Sequence, residues 1–409
     1  MRSVAWALGA FFAAGTVALF AESPAAAPRR YEDDLALLRR HLAVVELAAP
    51  EGAGRVAVVA AYQGRVMTST VTGPEGWSLG WINEELISSG RTLAHMNPYG
   101  GEDRLWLGPE GGQFALFFEA QAPFDLEHWQ TPPLVDTEPF EMVAGDSTHV
   151  VFRREAKLVN RAGFTFHLGI ERTVRMLTRA QVRRHLGRDL PLDAKVVAFQ
   201  TENRVTNLGE TPWTKSRGLP SIWILGMFPP SPGATVVIPF EPGPASERGR
   251  VVNDAYFGKV PNERLVVGAD ALFFRGDGRH RSKIGIPPRR ARPLCGSYDP
   301  DRRLLTLVQF SFDPKDTDYV NSMWEMQERP FDGDVVNSYN DGPPALGAAP
   351  LGPFYELETS SPALALAPGR SHTHVHRTIH FEGDEAALGE LARGTLGVSL
   401  AKIRGAFAD

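Results

Sequence analysis

What most constrains this chain is an alternation of apolar and polar residues that recurs along most of its length, with nothing long enough for a helical crossover between one stretch and the next. "GRVAVVAAYQGRVMTSTVTG", "THVVFRREAKL", "FTFHLGIERTVRML", "KVVAFQTENRVTNLG", "ATVVIPF", "RLLTLVQFSF" and "SHTHVHRTIHF" all read as strands with one face toward a core. Turn clusters such as "TGPEG", "NLGETP", "PPSPGA" and "EPGPASERG" separate them. Parallel strands need a crossover of a dozen or more residues, so strand following strand directly predicts antiparallel sheets packed face to face. The 40 glycines, 32 prolines and 10% aromatic residues fit that all-β class, with many turns between aromatic-bearing strands.

Helical spacing is rare. "YEDDLALLRRHLAVVELA" puts Leu35, Leu38 and Leu42 on one face, with acidic residues ahead of basic ones, and predicts a short N-terminal helix. "ALGELARGTLG" and "TRAQVRRHLG" are weaker candidates. At the start, Arg2 precedes an uncharged apolar run from Val4 to Ala21 and the small-residue stretch "ESPAAAP". Residues 1–27 therefore read as a signal peptide cut between Ala21 and Ala27, or as an N-terminal anchor if uncut. Residues 28–409 then read as one domain in a periplasmic or secreted bacterial protein. Its lone Cys295 cannot form an internal disulfide and reads as a buried small residue. A net charge of −5 offers nothing to a nucleic acid, and no motif calls for a cofactor. Membrane contact is expected only through an uncut N-terminus, and the sequence does not specify an oligomeric state.

Three stretches carry candidate chemistry. In "NPYGGEDRLWLGPEGGQF", glycine pairs bracket Glu102, Asp103, Arg104, Trp106 and Glu110, so the segment can turn sharply twice and present what lies between. An indole can stack on a sugar ring while carboxylates and a guanidinium take its hydroxyls. Ion pairing at Asp103 and Arg104, with Trp106 in the core, is the rival reading; being adjacent on a strand, those two would point to opposite faces.

In "FYELETSSPALALAPGRSHTHVHRTIHF", Glu356 and Glu358 share a strand face, where repulsion can raise one pKa. On the following strand His372, His374, His376 and His380 also share a face. They suit a solvated sheet surface, contact of His374 or His376 with a sugar, or a metal reached by at most two of them. "VVNSYNDGPP" places Asn340, Asp341 and Gly342 in a turn beside Tyr339, where the same side chains can also take sugar hydroxyls, and Trp324 just upstream can form an aromatic wall.

Taken in this order, the motifs resemble the galactose mutarotase-like superfamily. The chain is more closely similar to an uncharacterised family of secreted bacterial proteins sharing "NPxGGEDRxWLGPEGGQ" and "ELETSSPALxLxPGxSxxHxHRTxHF". The wider resemblance rests on "RTVRML", "NRVTNLGETPW" and "LETSSPALALAPG". It implies a β-supersandwich holding a carbohydrate on its concave face. By its setting in "LETS", Glu358 matches the glutamate that serves as general base in aldose epimerases of that fold. The partner histidine of those enzymes has no counterpart, since "SIWILGMFPPSPGA" carries Met227 in that region.

His95, in "LAHMNPYGG", is the substitute candidate acid, with Arg104 as electrostatic partner. The expected activity is epimerisation, elimination or hydrolysis of a saccharide, the last with Glu110 or Asp341 opposite Glu358. The alternative is a non-catalytic carbohydrate-binding protein.

Overall fold

The computed structural model describes residues 28–345 and 347–408; the signal or anchor segment read in residues 1–27 lies outside them. The alternating stretches form strands, and every strand pair is antiparallel. A 10-stranded sheet runs in the order Leu265–Val267, Ala271–Arg275, Thr235–Pro239, Leu294–Asp299, Leu304–Phe310, Ser371–Glu382, Lys195–Asn207, Thr165–Met176, His149–Val159, Glu141–Gly145. A 5-stranded sheet runs Ser282–Ile286, Val336–Asn340, Tyr355–Ser360, Ser221–Phe228, Arg104–Gly108. A 3-stranded sheet, Val44–Ala48, Arg55–Val59 and Arg65–Thr70, completes the β structure. The fold is β-rich, built on large antiparallel sheets.

The alternation explains the layering. On Ser371–Glu382, Ile379 and Phe381 turn to one side, where they cluster with Leu388 and Leu391 of the helix Glu385–Thr395 and Ile403 of Leu400–Arg404. His374, His376 and His380 turn to the other side, toward the 5-stranded sheet. Elsewhere between the two sheets, Phe274, Val308 and Phe310 pack on Ile284, Val336 and Leu357. The 10-stranded sheet is thus covered on both faces here, and the side chains between it and the 5-stranded sheet are buried.

The N-terminal helix spans Tyr31–His41, buries Leu35 and Leu38 and packs with Val59 and Met67 of the small sheet. The spacing in the sequence extends this helix to Ala48, but Val44–Ala48 instead pairs with Arg55–Val59. β-Branched Val44 and Val45 suit a pleated, half-covered surface, so sheet pairing wins over helical periodicity. Several further short helices occur, among them Arg179–Leu186, started by a reciprocal Thr178–Gln181 cap. No helix among the described residues is long and apolar enough to cross a membrane.

Candidate functional site

Register puts a distinct set of side chains on the face of the 5-stranded sheet turned away from the 10-stranded one. Glu358 lies opposite Leu225 and Asn337, Glu356 opposite Met227 and Tyr339, Arg104 opposite Leu225, Trp106 opposite Trp223, and Lys283 opposite Tyr339. Side chains at alternate positions share a face, so these groups gather although they come from distant parts of the chain. Arg104 Nη2 donates to Glu356 Oε1 at 2.8 Å across 252 residues of sequence. Lys283 Nζ donates to Glu358 Oε2 at 2.9 Å, and the Trp223 indole N–H donates to the same oxygen at 2.9 Å.

Over this charged floor lies a cleft of about 170 Å³ whose walls include Arg104, Trp106, Glu110, Lys283, Trp324 and Glu356. Pockets for drug-sized ligands run ~300–1,000 Å³, so this one suits a single compact ring. Its aromatic wall is continuous. Trp106 meets Trp223 edge-on at 5.5 Å, Trp129 stacks on Trp324 at 5.8 Å, and Phe257 meets Trp324 at 6.2 Å and Tyr339 at 5.9 Å. Arg104 lies 4.2 Å over Trp106 and Lys283 4.6 Å over Trp223, so both cations are held by ring faces as well as by carboxylates. A larger depression of about 710 Å³ opens near Arg248, Arg250, Arg289 and Arg329. Those arginines are engaged with backbone carbonyls or with acidic residues.

The electrostatics follow from burial. Loss of water pushes the Glu356 carboxyl up to about 8; Arg104 opposes this and the neighbouring Glu358 adds to it. Burial outweighs the pairing because a carboxylate gives up more hydration here than one guanidinium, bonded through one nitrogen, returns. Glu110 is also raised, by burial first, against the pull of Lys283 and a hydrogen bond with Trp324. Asp341 is raised by burial while Tyr339 donates to Oδ1 at 2.6 Å and the Gly352 amide to Oδ2 at 2.9 Å.

The residues singled out from sequence divide sharply. Arg104, Trp106, Glu110, Tyr339 and Asp341 line the cleft. Glu358 lies beneath it, fully buried under Lys283 and Trp223, while its strand neighbour Glu356 reaches the cavity wall.

The others lie elsewhere, and each is a correction. Glu102 is buried between the sheets, where its Oε2 accepts from Ser69 Oγ and pairs with His380 Nε2. Asp103 is buried against Arg172 at 2.6 Å and accepts from Thr201 Oγ1. His374 and His376 both bond Thr359 Oγ1 and have no exposed surface, so they form neither a solvated face nor a ligand contact. No group of three metal-binding side chains occurs among the described residues. Asn340 ends the strand Val336–Asn340 and is spent on the neighbouring loop, accepting from the Gly278 amide and donating to the His280 carbonyl. His95 is exposed, its Nδ1 set against the Trp129 carbonyl at 2.8 Å, outside the cleft wall.

The double glycines have a different use from presenting a loop. A Cβ on Gly100, at φ 96°, would fall 2.0 Å from the Trp81 carbonyl oxygen, and one on Gly111 2.2 Å from that of Met323. Both glycines allow backbone to thread against backbone. The chain runs buried through Glu102 and Asp103, then reaches the cleft at Arg104.

Sequence reasoning missed Lys283, Trp223, Trp129, Phe257 and Arg281. "HRSKIGI" looks like any half-buried strand, and only its pairing with Val336–Asn340 shows where Lys283 points.

Solved structures of similar fold include the Slr1438 protein of Synechocystis sp. PCC 6803, at 14% identity, TM-score 0.49, covering 84% of this chain and 96% of that one. A galactose mutarotase-like protein from Lactobacillus casei aligns at 10% identity and TM-score 0.45, covering 83% and 100%. A galactose mutarotase related enzyme from Lactobacillus acidophilus aligns at 8% identity and TM-score 0.46, covering 83% and 98%. These are distant likenesses of fold. No curated protein matches the sequence. The chain belongs to the family of unknown function DUF6786, which it matches over residues 29–407.

Proposed function

We propose that the cleft binds one sugar ring and that the protein acts on it by proton transfer, with Glu110 as the acid and Glu356 as the carboxyl that exchanges a proton with the ring's reactive position. One observation carries this reading: the Arg104–Glu356 pair, assembled from opposite ends of the chain, forms the floor of a cavity walled by aromatic rings. A sugar ring is apolar on its faces and hydroxylated at its edge, which asks for indoles above and charged hydrogen-bonding groups below. A carboxyl whose pKa lies near the working pH moves a proton most effectively, and burial brings Glu356 toward that range. Glu358 then acts as a positioning residue, fixing Lys283 through their ion pair. Export from the cytoplasm belongs to the same reading, on the composition of residues 1–27 alone, and cell fractionation checks it.

A second reading, a binding protein without turnover, is favoured by the fact that Glu356, Glu110 and Asp341 already have hydrogen-bonding partners within the protein. Titrating mono- and disaccharides against tryptophan emission, with NMR detection of epimerised, eliminated or hydrolysed product, separates the two. Turnover is expected to fall by about 100-fold or more in Glu356→Gln and in Glu110→Gln, the usual contribution of a placed proton-transfer group. Binding without any product leaves the non-catalytic reading. No change in emission and no product with any sugar removes both.

A further inference from the structure

We infer that the cleft selects an anionic saccharide, one ring bearing a carboxylate or phosphate, and that Arg281 receives its negative group. The inference rests on the sugar-site reading and narrows it to a substrate class.

Three cations line the cavity: Arg104, Lys283 and Arg281. Two of them have carboxylates at 2.8 and 2.9 Å. Arg281 differs. Its guanidinium lies 3.7 Å over the ring of Phe257, and no carboxylate among the described residues forms an ion pair with it. The acidic groups that face it are Glu110, Tyr339 and Asp341. Burial raises the pKa of all three, and none of them forms an ion pair with the guanidinium among the described residues. Arg104 and Lys283 each have a carboxyl group within hydrogen-bonding distance, whereas Arg281 is held by a ring face.

The hydrogen-bonding inventory points the same way. Arg104 Nε and Nη1 and the indole N–H groups of Trp106 and Trp129 are buried and donate to nothing in the protein. These four are donors on residues of the cleft wall, while the unpartnered acceptor Glu358 Oε1 lies beneath it, on a residue covered by Lys283 and Trp223. A carboxylate or phosphate supplies acceptors only and matches a guanidinium in geometry, whereas a neutral ring also brings hydroxyl donors. A flat guanidinium stacked on Phe257 is held in place before the ligand arrives, so little ordering is left for binding to cost.

The test compares glucuronate and galacturonate, glucose 6-phosphate, and their neutral parents glucose and galactose, in calorimetric titrations of the wild type, Arg281→Gln and Arg281→Lys. At low salt, at least one anionic sugar is expected to bind about ten-fold or more tightly than its neutral parent, with the advantage shrinking as sodium chloride is added. Which arm shows it identifies carboxylate or phosphate as the group read. In Arg281→Gln the ratio of anionic to neutral affinity is expected to approach one, and in Arg281→Lys to stay above that of Arg281→Gln.

Equal affinity for charged and neutral sugars in the wild type overturns the inference while the sugar site stands. So does an unchanged ratio in Arg281→Gln. Should that variant fail to fold, the salt dependence of the wild-type ratio decides alone. Failure of every sugar to bind removes this inference together with the reading beneath it.

Discussion

On both sides of the strand Tyr355–Ser360 lie ionisable side chains, and the two sides use them in opposite ways. On one face Glu356 and Glu358 meet Arg104 and Lys283 beside a cavity. On the other, Thr359 bonds His374 and His376 within a layer that also holds the Asp103–Arg172 and Glu102–His380 pairs. In that layer Arg172 donates to the Gly64 and Asp103 carbonyls as well as to the Asp103 carboxylate, and both partners have 0% exposure. Protein surrounds it on all sides. At the cleft, Arg104 makes one hydrogen bond and keeps two nitrogens unpaired. A high density of ionisable side chains therefore does not mark a ligand site; what marks it is a cavity beside cations whose bonding capacity the protein leaves unfilled.

The largest expected effect tests whether the inner layer is structural. Asp103→Ala would strand Arg172 as an unpaired buried charge, and breaking such a pair from one side typically costs about 3–5 kcal/mol. Glu356→Gln, at the cleft, is expected to cost about 1 kcal/mol or less in chemical denaturation, the net worth of an ordinary hydrogen bond, because burial already favours the neutral form that glutamine mimics. Equal losses in the two variants would erase the distinction between the faces.

Titration sharpens the same contrast, since the faces should respond to pH with opposite slopes. Burial depresses His376 to about 4 and holds His374 well below the usual 6.5. The unfolded chain binds those protons first, so this stabilising contribution is complete above pH 6.5 and is lost as pH falls toward about 4. Glu356 is raised instead: its folded form holds a proton that the unfolded chain releases near 4.5, so its contribution is present below that pH and disappears as pH rises toward about 8. Thermal midpoints measured across pH 4–9 should therefore fall at both ends. Glu356→Gln should flatten the rise-side loss and leave the acid-side loss in place; flattening at the acid end instead would reverse the assignment.

Much of this architecture is legible in the sequence because strand alternation is a local signal. The approach of Arg104 to the Glu356–Glu358 strand is anticipated by two motifs, and the opposite orientation of Asp103 follows from its being one residue earlier. Alternation does not say which face of a strand is covered. A run of His-X-His reads as solvated unless a second polar sheet is known to lie against it, and nothing local in the sequence ties His374 and His376 to Thr359. Depth is likewise a pairing property. Glu356 and Glu358 are equivalent in the sequence, and only the arrival of Lys283 and Trp223 over Glu358 leaves Glu356 at the cavity. Lys283 in the strand Ser282–Ile286 and Arg281 just before it sit in a segment with no chemical signature, and their importance comes entirely from what faces them.

The smallest expected effect separates the wall from its scaffold. Trp324 is half-buried, stacks on Trp129 and lines the cleft with Glu110, so Trp324→Ala removes a ring face from the wall beside the candidate acid. Sugar affinity should drop by about 0.5–1.5 kcal/mol, with a folded, cooperative protein retained. His95 is exposed and touches the same wall only through the backbone of Trp129, so His95→Ala should shift affinity and stability by less than about 0.5 kcal/mol. Parallel fluorescence titrations read both. If His95→Ala instead abolished turnover while Trp324→Ala spared it, the acid would sit at the loop outside the cleft, and the assignment of Glu110 would fall.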